Sequence, residues 1–306
     1  MTDEPSHGSR PDVELRSILI TVVVALRPKQ WTKNAVVFAA LVFDHKLFEA
    51  SRFFVTLGAF ICFCLASSAI YLINDINDIS SDRLHPRKRH RPIASGVVSR
   101  SAGWGISGLL VAVSLPFALW LRMEFAAVIV GYLMLMVGYT FWLKHLVILD
   151  VFAIAAGFVL RAAGGGLVLT VPISPWLYVC TVLLALFLGF GKRRHELQLL
   201  SSDAADHRRN LEEYSVELLD HFILITASAT VMAYSLYTFT SPNLPTNHAM
   251  MLTIPFVVYA IFRYLFLIHR RDGGGSPEQL LLTDGPLLAG ITAWGLLAVG
   301  ILYSAS

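Results

Sequence analysis

Charged residues are scarce in this sequence. Only 15% of the 306 residues are Asp, Glu, Lys or Arg, whereas 56% are hydrophobic, and the mean hydropathy is +0.63. A soluble globular domain carries about 25% charged residues, so this composition excludes an ordinary soluble protein. The formal net charge of +3 is small, and we expect a membrane environment and no nucleic-acid partner. The composition therefore predicts an all-α, multi-pass membrane protein.

Cysteine is also rare. The three cysteines, Cys62, Cys64 and Cys180, all lie within apolar runs. Cys62 and Cys64 are two residues apart and would point to different faces of a helix. This pattern argues against a disulfide or a thiolate metal site and favours small, buried apolar residues.

The first residues do not have the pattern of a cleavable signal peptide. Residues 1–16 are polar and mixed in charge, with no short apolar core followed by a small-residue cleavage site. We predict a polar N-terminal tail over residues 1–16 and a single integral-membrane domain over residues 17–306.

Long apolar segments dominate the rest of the chain. A membrane-spanning helix needs about 20 mainly apolar residues. Pro28 interrupts the first segment and would kink or restart the helix, so we expect an interfacial helix there, followed by a shorter or tilted span. We predict nine transmembrane helices, at residues 17–42, 53–75, 102–121, 124–142, 146–168, 175–191, 217–239, 249–268 and 285–303.

Basic residues are distributed unevenly between the two sides of such a bundle. With nine spans, most Lys and Arg residues fall in the loops at 76–101, 143–145, 192–216 and 269–284, on one side. Loops rich in Lys and Arg remain in the cytoplasm. We therefore predict a plasma (inner) membrane protein whose N-terminus and polar loops are cytoplasmic.

An acidic motif ends the second apolar segment. Asn74, Asp75, Asp78 and Asp82 form the pattern N-D-x-x-D-x-x-x-D, which on an α-helix places the three aspartates on one face. Such carboxylates repel one another unless a cation lies between them, and Mg²⁺ prefers oxygen ligands together with phosphate oxygens. We predict that these four residues bind Mg²⁺; a solvated helix end with scattered acids is the alternative.

Basic residues on both sides of the acidic motif are candidate phosphate ligands. Arg27, Lys29 and Lys33 surround Trp31; Lys29 and Lys33 are predicted to point together on a helix, although an interfacial anchor would have the same composition. Arg83 lies in the basic loop that follows the acidic motif.

A second group lies around the fifth predicted span. Tyr139 and Lys144 precede this span, and Lys144 is either a ligand or a snorkelling residue at a helix end. Asp150 and Arg161 are eleven residues apart within the span, which is about three turns, and would share one face. Charges inside a span usually mark a site or an ion pair.

A third group follows the sixth span. Lys192, Arg193 and Arg194 precede His195 and Glu196. Such a dense basic run binds phosphates well, although it would also serve as plain topogenic charge. Glu196 is a further metal ligand or a neutralising partner in this interpretation. A fourth group, residues 207–214, is similarly basic and then acidic. From the residues alone, the chain is predicted to catalyse a Mg²⁺-dependent transfer that involves a diphosphate and a membrane lipid.

The predicted helices and the motif from Asn74 to Asp82 resemble the UbiA superfamily of intramembrane prenyltransferases. The resemblance extends over nearly the whole chain and implies a UbiA-type bundle with its active site at the cytoplasmic side. Most members carry a second motif, D-x-x-x-D, after the sixth helix. This sequence has the basic run from Lys192 to Glu196 there, and Asp203 and Asp206 have a different spacing.

One branch of the superfamily, which transfers phosphoribosyl groups, matches better. The resemblance rests on residues 26–34, on residues 191–196, and on His207-Arg208 with Tyr214-Ser215. It implies phosphoribosyl pyrophosphate as donor and a polyprenyl (decaprenyl) phosphate as acceptor, for lipid-linked arabinose and cell-wall arabinan synthesis. We predict as catalytic residues Asp75, Asp78, Asp82, Lys144 and Asp150. We predict as substrate-binding residues Lys29, Lys33, Asn74, Arg83, Tyr139, Lys144, Arg161, Lys192, Arg193 and Arg194.

Two other functions fit parts of the pattern. A UbiA-type enzyme that moves a prenyl group from a prenyl diphosphate to an aromatic acceptor would share the first acidic motif. A transporter with a metal-gated cytoplasmic site would favour access from both faces, yet the predicted outer loops are short and almost uncharged. A homo-oligomer is compatible with either enzyme.

Overall fold

The computed structural model describes residues 21–86, 88–172, 174–202, 211, 213–270 and 277–304. The basic segment 203–210, Glu212 and the predicted N-terminal tail lie outside these residues. Within the described residues the regular secondary structure is entirely α-helix and 3₁₀ helix, with no strand, which confirms the all-α prediction. The α-helices are α1 (Ala39–Phe43), α2 (Ala50–Asn77), α3 (Ile79–Leu84), α4 (Arg100–Leu121), α5 (Met123–Phe141), α6 (Leu149–Leu169), α7 (Pro175–Ser202), α8 (Val216–Thr240), α9 (Ile254–Arg270), α10 (Pro277–Thr283) and α11 (Gly285–Ser304).

Eight helical segments in the described residues are long and apolar enough to cross a membrane. They are α2, α4, α5, α6, α7 up to Leu199, α8, the segment Ala249–Arg270 that contains α9, and α11. These correspond to the second through ninth predicted spans. The first predicted segment differs, because Pro28–Phe38 is a 3₁₀ helix that leads into the short helix α1. The first predicted span, and with it the count of nine, therefore stays a prediction.

Helix α7 is longer than the sequence indicated. The predicted span ends at residue 191, but the helix continues to Ser202. The basic run from Lys192 to Glu196 is thus helical, and consecutive side chains are rotated by about 100° around the axis. The three basic side chains consequently face different neighbours instead of forming one patch.

The central helix is α6. It packs against α2, α5 and the 3₁₀ helix on one side and against α7 on the other. The larger apolar core, around Phe63, Phe125 and Ile129, joins the N-terminal helices, and the second, around Phe187, Leu219 and Tyr264, joins α7, α8 and α9. Both cores include residues that contact α6, so its polar residues lie between the two halves of the bundle.

Three consecutive glycines bring the 3₁₀ helix close to α6. Gly164, Gly165 and Gly166 lie inside α6 and are buried. A Cβ on Gly165 would be 2.1 Å from the carbonyl oxygen of Val37, and one on Gly164 would be 2.8 Å from the ring of Phe63. The glycines therefore permit backbone contact between α6 and the 3₁₀ helix.

Candidate active site

The acidic motif lies where α2 ends and α3 begins. Asp78 leaves the α-helical conformation, with φ −98° and ψ 14°. Helical hydrogen bonding nevertheless continues, since the N–H of Asp78 donates to Asn74 O at 2.9 Å and that of Asp82 donates to Asp78 O at 2.8 Å. Asp78 and Asp82 both lie within electrostatic range of Asp75. The motif is therefore one bent helical segment that carries all three carboxylates.

Two of these carboxylates share one arginine. Arg91 Nη1 lies 3.1 Å from Asp75 Oδ1 and 2.6 Å from Asp82 Oδ2. Arg27 also forms an ion pair with Asp75 and lies over the ring of Tyr71. Asp75 and Asp82 are each only 2% exposed, so this pairing compensates for their desolvation. Burial lowers the pKa of Arg27, and the Asp75 carboxylate opposes that effect.

Asp78 has a different cation. Lys144 Nζ lies 2.5 Å from Asp78 Oδ1, and Lys144 itself is 5% exposed. The side-chain amides of Asn74 and Asn77 each donate to the Asp78 carboxylate at 3.0 Å. The predicted common face of the three aspartates is thus divided: Asp75 and Asp82 face Arg91, and Asp78 faces Lys144. The change of backbone conformation at Asp78 coincides with this division.

Asp150 and Arg161 do not pair, contrary to one of the two alternatives for these residues. Asp150 is fully buried and lies 2.7 Å from Nε of Arg193 on α7, an ion pair by distance although its hydrogen-bond angle is poor. Arg161 instead binds neutral groups: Asn34 Oδ1 at 2.6 Å, Gly157 O at 2.9 Å and the hydroxyl of Tyr132 at 2.9 Å. The two charges therefore belong to separate parts of the bundle.

Asp150 and Arg193 form a brace between three helices. Arg193 also pairs with Glu196 and donates to Tyr139 at 3.4 Å. Tyr214 donates to Asp150 at 3.4 Å and accepts the N–H of Ile148 at 2.6 Å, where the backbone has a φ of 67°. Burial raises the pKa of Tyr214 to about 12, so its hydroxyl stays protonated at neutral pH. This network holds the loop before α6 against α7.

Arg194 and Lys192 point elsewhere. Arg194 Nε lies 2.5 Å from Asp220 on α8, and its Nη1 donates to Gln198 at 2.9 Å and to Ile268 O at 3.3 Å. Lys192 is near Glu196, with Nζ 4.0 Å from the carboxylate. The contacts of Arg194 join α7 to α8 and α9, so the structure gives this residue a bracing position rather than a place at the acidic motif.

The remaining predicted ligands are spread over the surface near the motif. Arg83 donates from Nε to Ala94 O at 2.9 Å and so holds the basic loop in place. Lys29 is exposed and Lys33 half-buried. The prediction that these two lysines point together is wrong, because they lie on a 3₁₀ helix, where residues four apart are rotated by about 120°.

Sequence reasoning missed Arg91, Asn34 and Tyr132. Arg91 lies in a basic loop where its charge alone fits a topogenic role, and its position just before Pro92 is the one local feature that distinguishes it. Asn34 belongs to the same basic segment as Lys33 but points inward to Cys64 and Ser67. Tyr132 lies in an apolar run without any local signal.

The donor set of the motif fits a hard divalent cation. Asp75, Asp78 and Asp82 supply carboxylate oxygens, and Asn74 supplies an amide oxygen, which are the ligand types that Mg²⁺ prefers. In the part of the chain that the structure describes, no three His, Cys, Asp or Glu side chains are grouped closely enough to hold a metal ion. The aspartates of the motif instead form ion pairs with Arg27, Arg91 and Lys144.

The sequence matches the model of the UbiA prenyltransferase family over residues 35–283. The chain belongs to the UbiA prenyltransferase family. With eight apolar helices, this UbiA member is a multi-pass integral membrane enzyme. Its fold agrees with that of a UbiA homologue from Archaeoglobus fulgidus bound to GPP and Mg²⁺, with a TM-score of 0.70 and 18% identity over 92% of this chain and 100% of that chain. At this identity the likeness concerns the fold alone.

Two curated relatives are more similar in sequence. A protein from Mycolicibacterium smegmatis named decaprenyl-phosphate phosphoribosyltransferase is 37% identical, over 99% of this chain and 98% of its own length. A protein of the same name from Corynebacterium glutamicum is 35% identical, over 99% of this chain and 94% of its own length. Both relatives thus match this chain nearly end to end and carry the name of a phosphoribosyltransferase.

Proposed function

We propose that this UbiA member transfers 5-phosphoribosyl from phosphoribosyl pyrophosphate to a polyprenyl phosphate such as decaprenyl phosphate. The products are polyprenylphosphoryl-5-phosphoribose and diphosphate. The names of relatives that match the chain nearly end to end support this function. The observation that carries it is the set of ion pairs between the acidic motif and Arg27, Arg91 and Lys144, which brings candidate metal ligands together with cations that suit several phosphates.

In this proposal Mg²⁺ is held by Asp75, Asp78 and Asp82, with the amide oxygen of Asn74. Bound there, the ion would withdraw negative charge from the leaving diphosphate. The chain's own cations have the complementary task. Lys144 is buried beside Asp78, and Arg27 and Arg91 lie beside Asp75, so each can bind a phosphate oxygen near the leaving group. Arg83 holds the loop that carries Arg91.

The reaction requires little acid–base chemistry from the protein. A phosphate oxygen of the acceptor attacks C1 of the ribose, and the bond from C1 to the diphosphate oxygen breaks, with its electron pair leaving on the diphosphate. The acceptor is already an anion, so no strong general base is needed. Catalysis then consists of positioning the two substrates and stabilising the charge that develops on the leaving group. We expect inversion at C1, and retention in a stereochemical product analysis would oppose direct attack.

The buried brace supports this arrangement without contacting substrate. Asp150 orients Arg193, and Arg193 in turn binds Tyr139 next to the helix end that presents Lys144. We therefore assign Asp150 and Arg193 as positioning residues. In this proposal Arg194 likewise braces the bundle, since it joins α7 to α8 and α9.

The cellular setting follows from the same proposal. Phosphoribosyl pyrophosphate is water-soluble and cytoplasmic, so the acidic motif would open to the cytoplasm at the plasma membrane. This agrees with the positive loops on that side. The lipid product would feed the synthesis of lipid-linked arabinose donors for cell-wall arabinan.

An assay on the purified protein in detergent tests the proposal. It combines radiolabelled phosphoribosyl pyrophosphate, a polyprenyl phosphate and Mg²⁺, and measures label in the extracted lipid phase. We expect labelled lipid that disappears when EDTA removes the metal. An unlabelled lipid phase together with turnover of a prenyl diphosphate and an aromatic acceptor would instead identify an ordinary prenyltransferase.

A further inference from the structure

Arg161 is a buried cation without a carboxylate partner in the described part of the chain. It is 5% exposed, and its three hydrogen bonds go to neutral oxygens of Asn34, Gly157 and Tyr132. Its guanidinium also lies over the rings of Tyr132 and Phe158, at 4.7 and 5.2 Å. The neighbouring buried arginines differ, because Arg193 pairs with Asp150 and Arg194 with Asp220.

This arrangement leaves binding capacity unused. A guanidinium has five N–H donors, and the three hydrogen bonds of Arg161 use three of them. A buried charge loses several kcal/mol of hydration free energy, of the order expected for any ion in a protein interior, and neutral partners recover only part of it. A neutral side chain could hydrogen-bond Asn34 and Tyr132 with a smaller loss of hydration free energy. The positive charge at this point therefore indicates a need for an anion.

The position of Arg161 within the bundle indicates which anion. Asn34 connects Arg161 to Cys64 and Ser67 of α2, with both contacts at 3.3 Å. Ser67 precedes Asp75 by eight residues on the same helix, which is roughly 12 Å at 1.5 Å per residue. Arg161 thus lies deeper in the apolar bundle than the carboxylates, on the side of the site that a water-soluble substrate reaches last.

We propose that Arg161 binds the phosphate of the polyprenyl acceptor. This inference rests on the proposed phosphoribosyl transfer and specifies how its two phosphorylated substrates are separated. The soluble donor binds at the carboxylate end, whereas the lipid enters from the hydrocarbon side and brings its phosphate to the buried guanidinium. Attack on C1 requires the acceptor phosphate to face the ribose from the side opposite the diphosphate, and a cation deeper than the carboxylates meets that requirement.

The variant Asn34→Asp tests this assignment directly. Aspartate has nearly the shape of asparagine and would place a carboxylate oxygen where Asn34 Oδ1 now lies, 2.6 Å from Arg161 Nε. The new internal ion pair neutralises the site without removing the arginine. If the guanidinium only braces the bundle, the variant folds and binds lipid phosphate normally. If it receives the acceptor phosphate, the variant folds but loses that binding.

The experiment measures binding of three probes in detergent: a polyprenyl monophosphate, the corresponding polyprenol and ribose 5-phosphate. We expect the native protein to bind the phosphorylated lipid at least about tenfold more tightly than the alcohol, as one charge-assisted contact implies. Asn34→Asp should abolish this preference and raise the KM for the lipid acceptor, with little change in the KM for the donor. The exposed Asn247→Asp provides the same change of charge as a control.

Further variants keep the test decisive. If Asn34→Asp fails to fold, Arg161→Lys should retain the preference for phosphate and Arg161→Gln should lose it. Normal lipid-phosphate binding by a folded Asn34→Asp or Arg161→Gln protein would overturn the inference, and so would selective loss of ribose 5-phosphate binding, which would assign Arg161 to the donor. A native protein that binds polyprenyl phosphate through Arg161 but transfers no phosphoribosyl group would refute the proposed function and leave the binding site intact.

Discussion

Lys144 lies 2.5 Å from the carboxylate of Asp78, although 66 residues separate them in the sequence. The pair joins the end of α2 to the short loop between α5 and α6. Lys144 is also nearly fully buried, so it is not a snorkelling residue that only meets the membrane surface. This relationship places a cation from the centre of the chain at the acidic motif.

Removal of the Asp78 carboxylate should abolish transfer without unfolding the protein. Asp78→Asn retains the size of the side chain but removes a proposed metal ligand, and we expect kcat to fall by roughly 100-fold or more. The labelled-lipid assay measures the activity, and thermal unfolding in detergent measures stability. Glu124→Gln is the control, since Glu124 is an exposed acid that pairs only with nearby Arg122. Full activity of Asp78→Asn at limiting Mg²⁺ would contradict the proposed role of Asp78 as a metal ligand.

Lys144 and Asp78 should act together. Lys144→Met removes the cation beside the proposed leaving group, and we expect the KM for phosphoribosyl pyrophosphate to rise about tenfold, the loss of one charge-assisted phosphate contact. The effects of mutations at two contacting residues do not add. We therefore expect the double variant, Lys144→Met with Asp78→Asn, to be no more than about twofold less active than Asp78→Asn alone. Independent, multiplicative losses would show that the pair has no shared role.

Arg91 should compete with a divalent cation for Asp75 and Asp82. Its guanidinium contacts both carboxylates, and removal of one positive charge strengthens their attraction for another cation. We expect Arg91→Gln to bind Mn²⁺ roughly tenfold more tightly than the native protein when substrates are absent. Electron paramagnetic resonance of free Mn²⁺ measures the affinity. The exposed Arg89→Gln, in the same loop, should bind Mn²⁺ as the native protein does, and weaker binding by Arg91→Gln would contradict competition.

Gly165→Ala should destabilise the bundle. The added Cβ would lie 2.1 Å from the carbonyl oxygen of Val37, so the 3₁₀ helix must move away from α6. We expect a loss of about 1–3 kcal/mol, seen as a lower Tm in detergent. Gly108→Ala on α4 is the matched control, because its Cβ meets nothing within 4 Å and alanine has the better helix propensity. Equal Tm values for the two variants would exclude the backbone contact.

Arg194→Ala should reduce stability rather than substrate affinity. The side chain joins α7 to Asp220 and to the carbonyl of Ile268, and its removal breaks hydrogen bonds worth about 1–3 kcal/mol. We expect a lower Tm, with the KM values for both substrates unchanged. Since the sequence predicted Arg194 as a substrate ligand, a higher KM at unchanged Tm would restore that original assignment.

Hydropathy and residue spacing predicted well the features that depend on a short stretch of the chain. The hydrophobic segments predicted seven of the eight long helices to within three residues at each end, because the backbone of about 20 apolar residues is fully hydrogen-bonded in a bilayer only as a helix. The eighth, α7, begins where predicted but continues to Ser202. The spacing of Asp75, Asp78 and Asp82 predicted one common face, which the structure divides between Arg91 and Lys144. The errors arose where local geometry departs from an α-helix: at Lys29 and Lys33, which lie on a 3₁₀ helix, and at Lys192 to Arg194, which continue α7.

The sequence by itself determined the class of this protein, its acidic motif and the supply of cations around it. Only the tertiary structure decided which charged side chains form ion pairs with each other. Asp150 pairs with Arg193 and Asp78 with Lys144, while Arg161 has neutral partners from two other segments. The physical reason is that these pairings depend on the rotation and close approach of whole helices, such as that permitted by Gly165 against Val37, and no periodicity within a single helix encodes them.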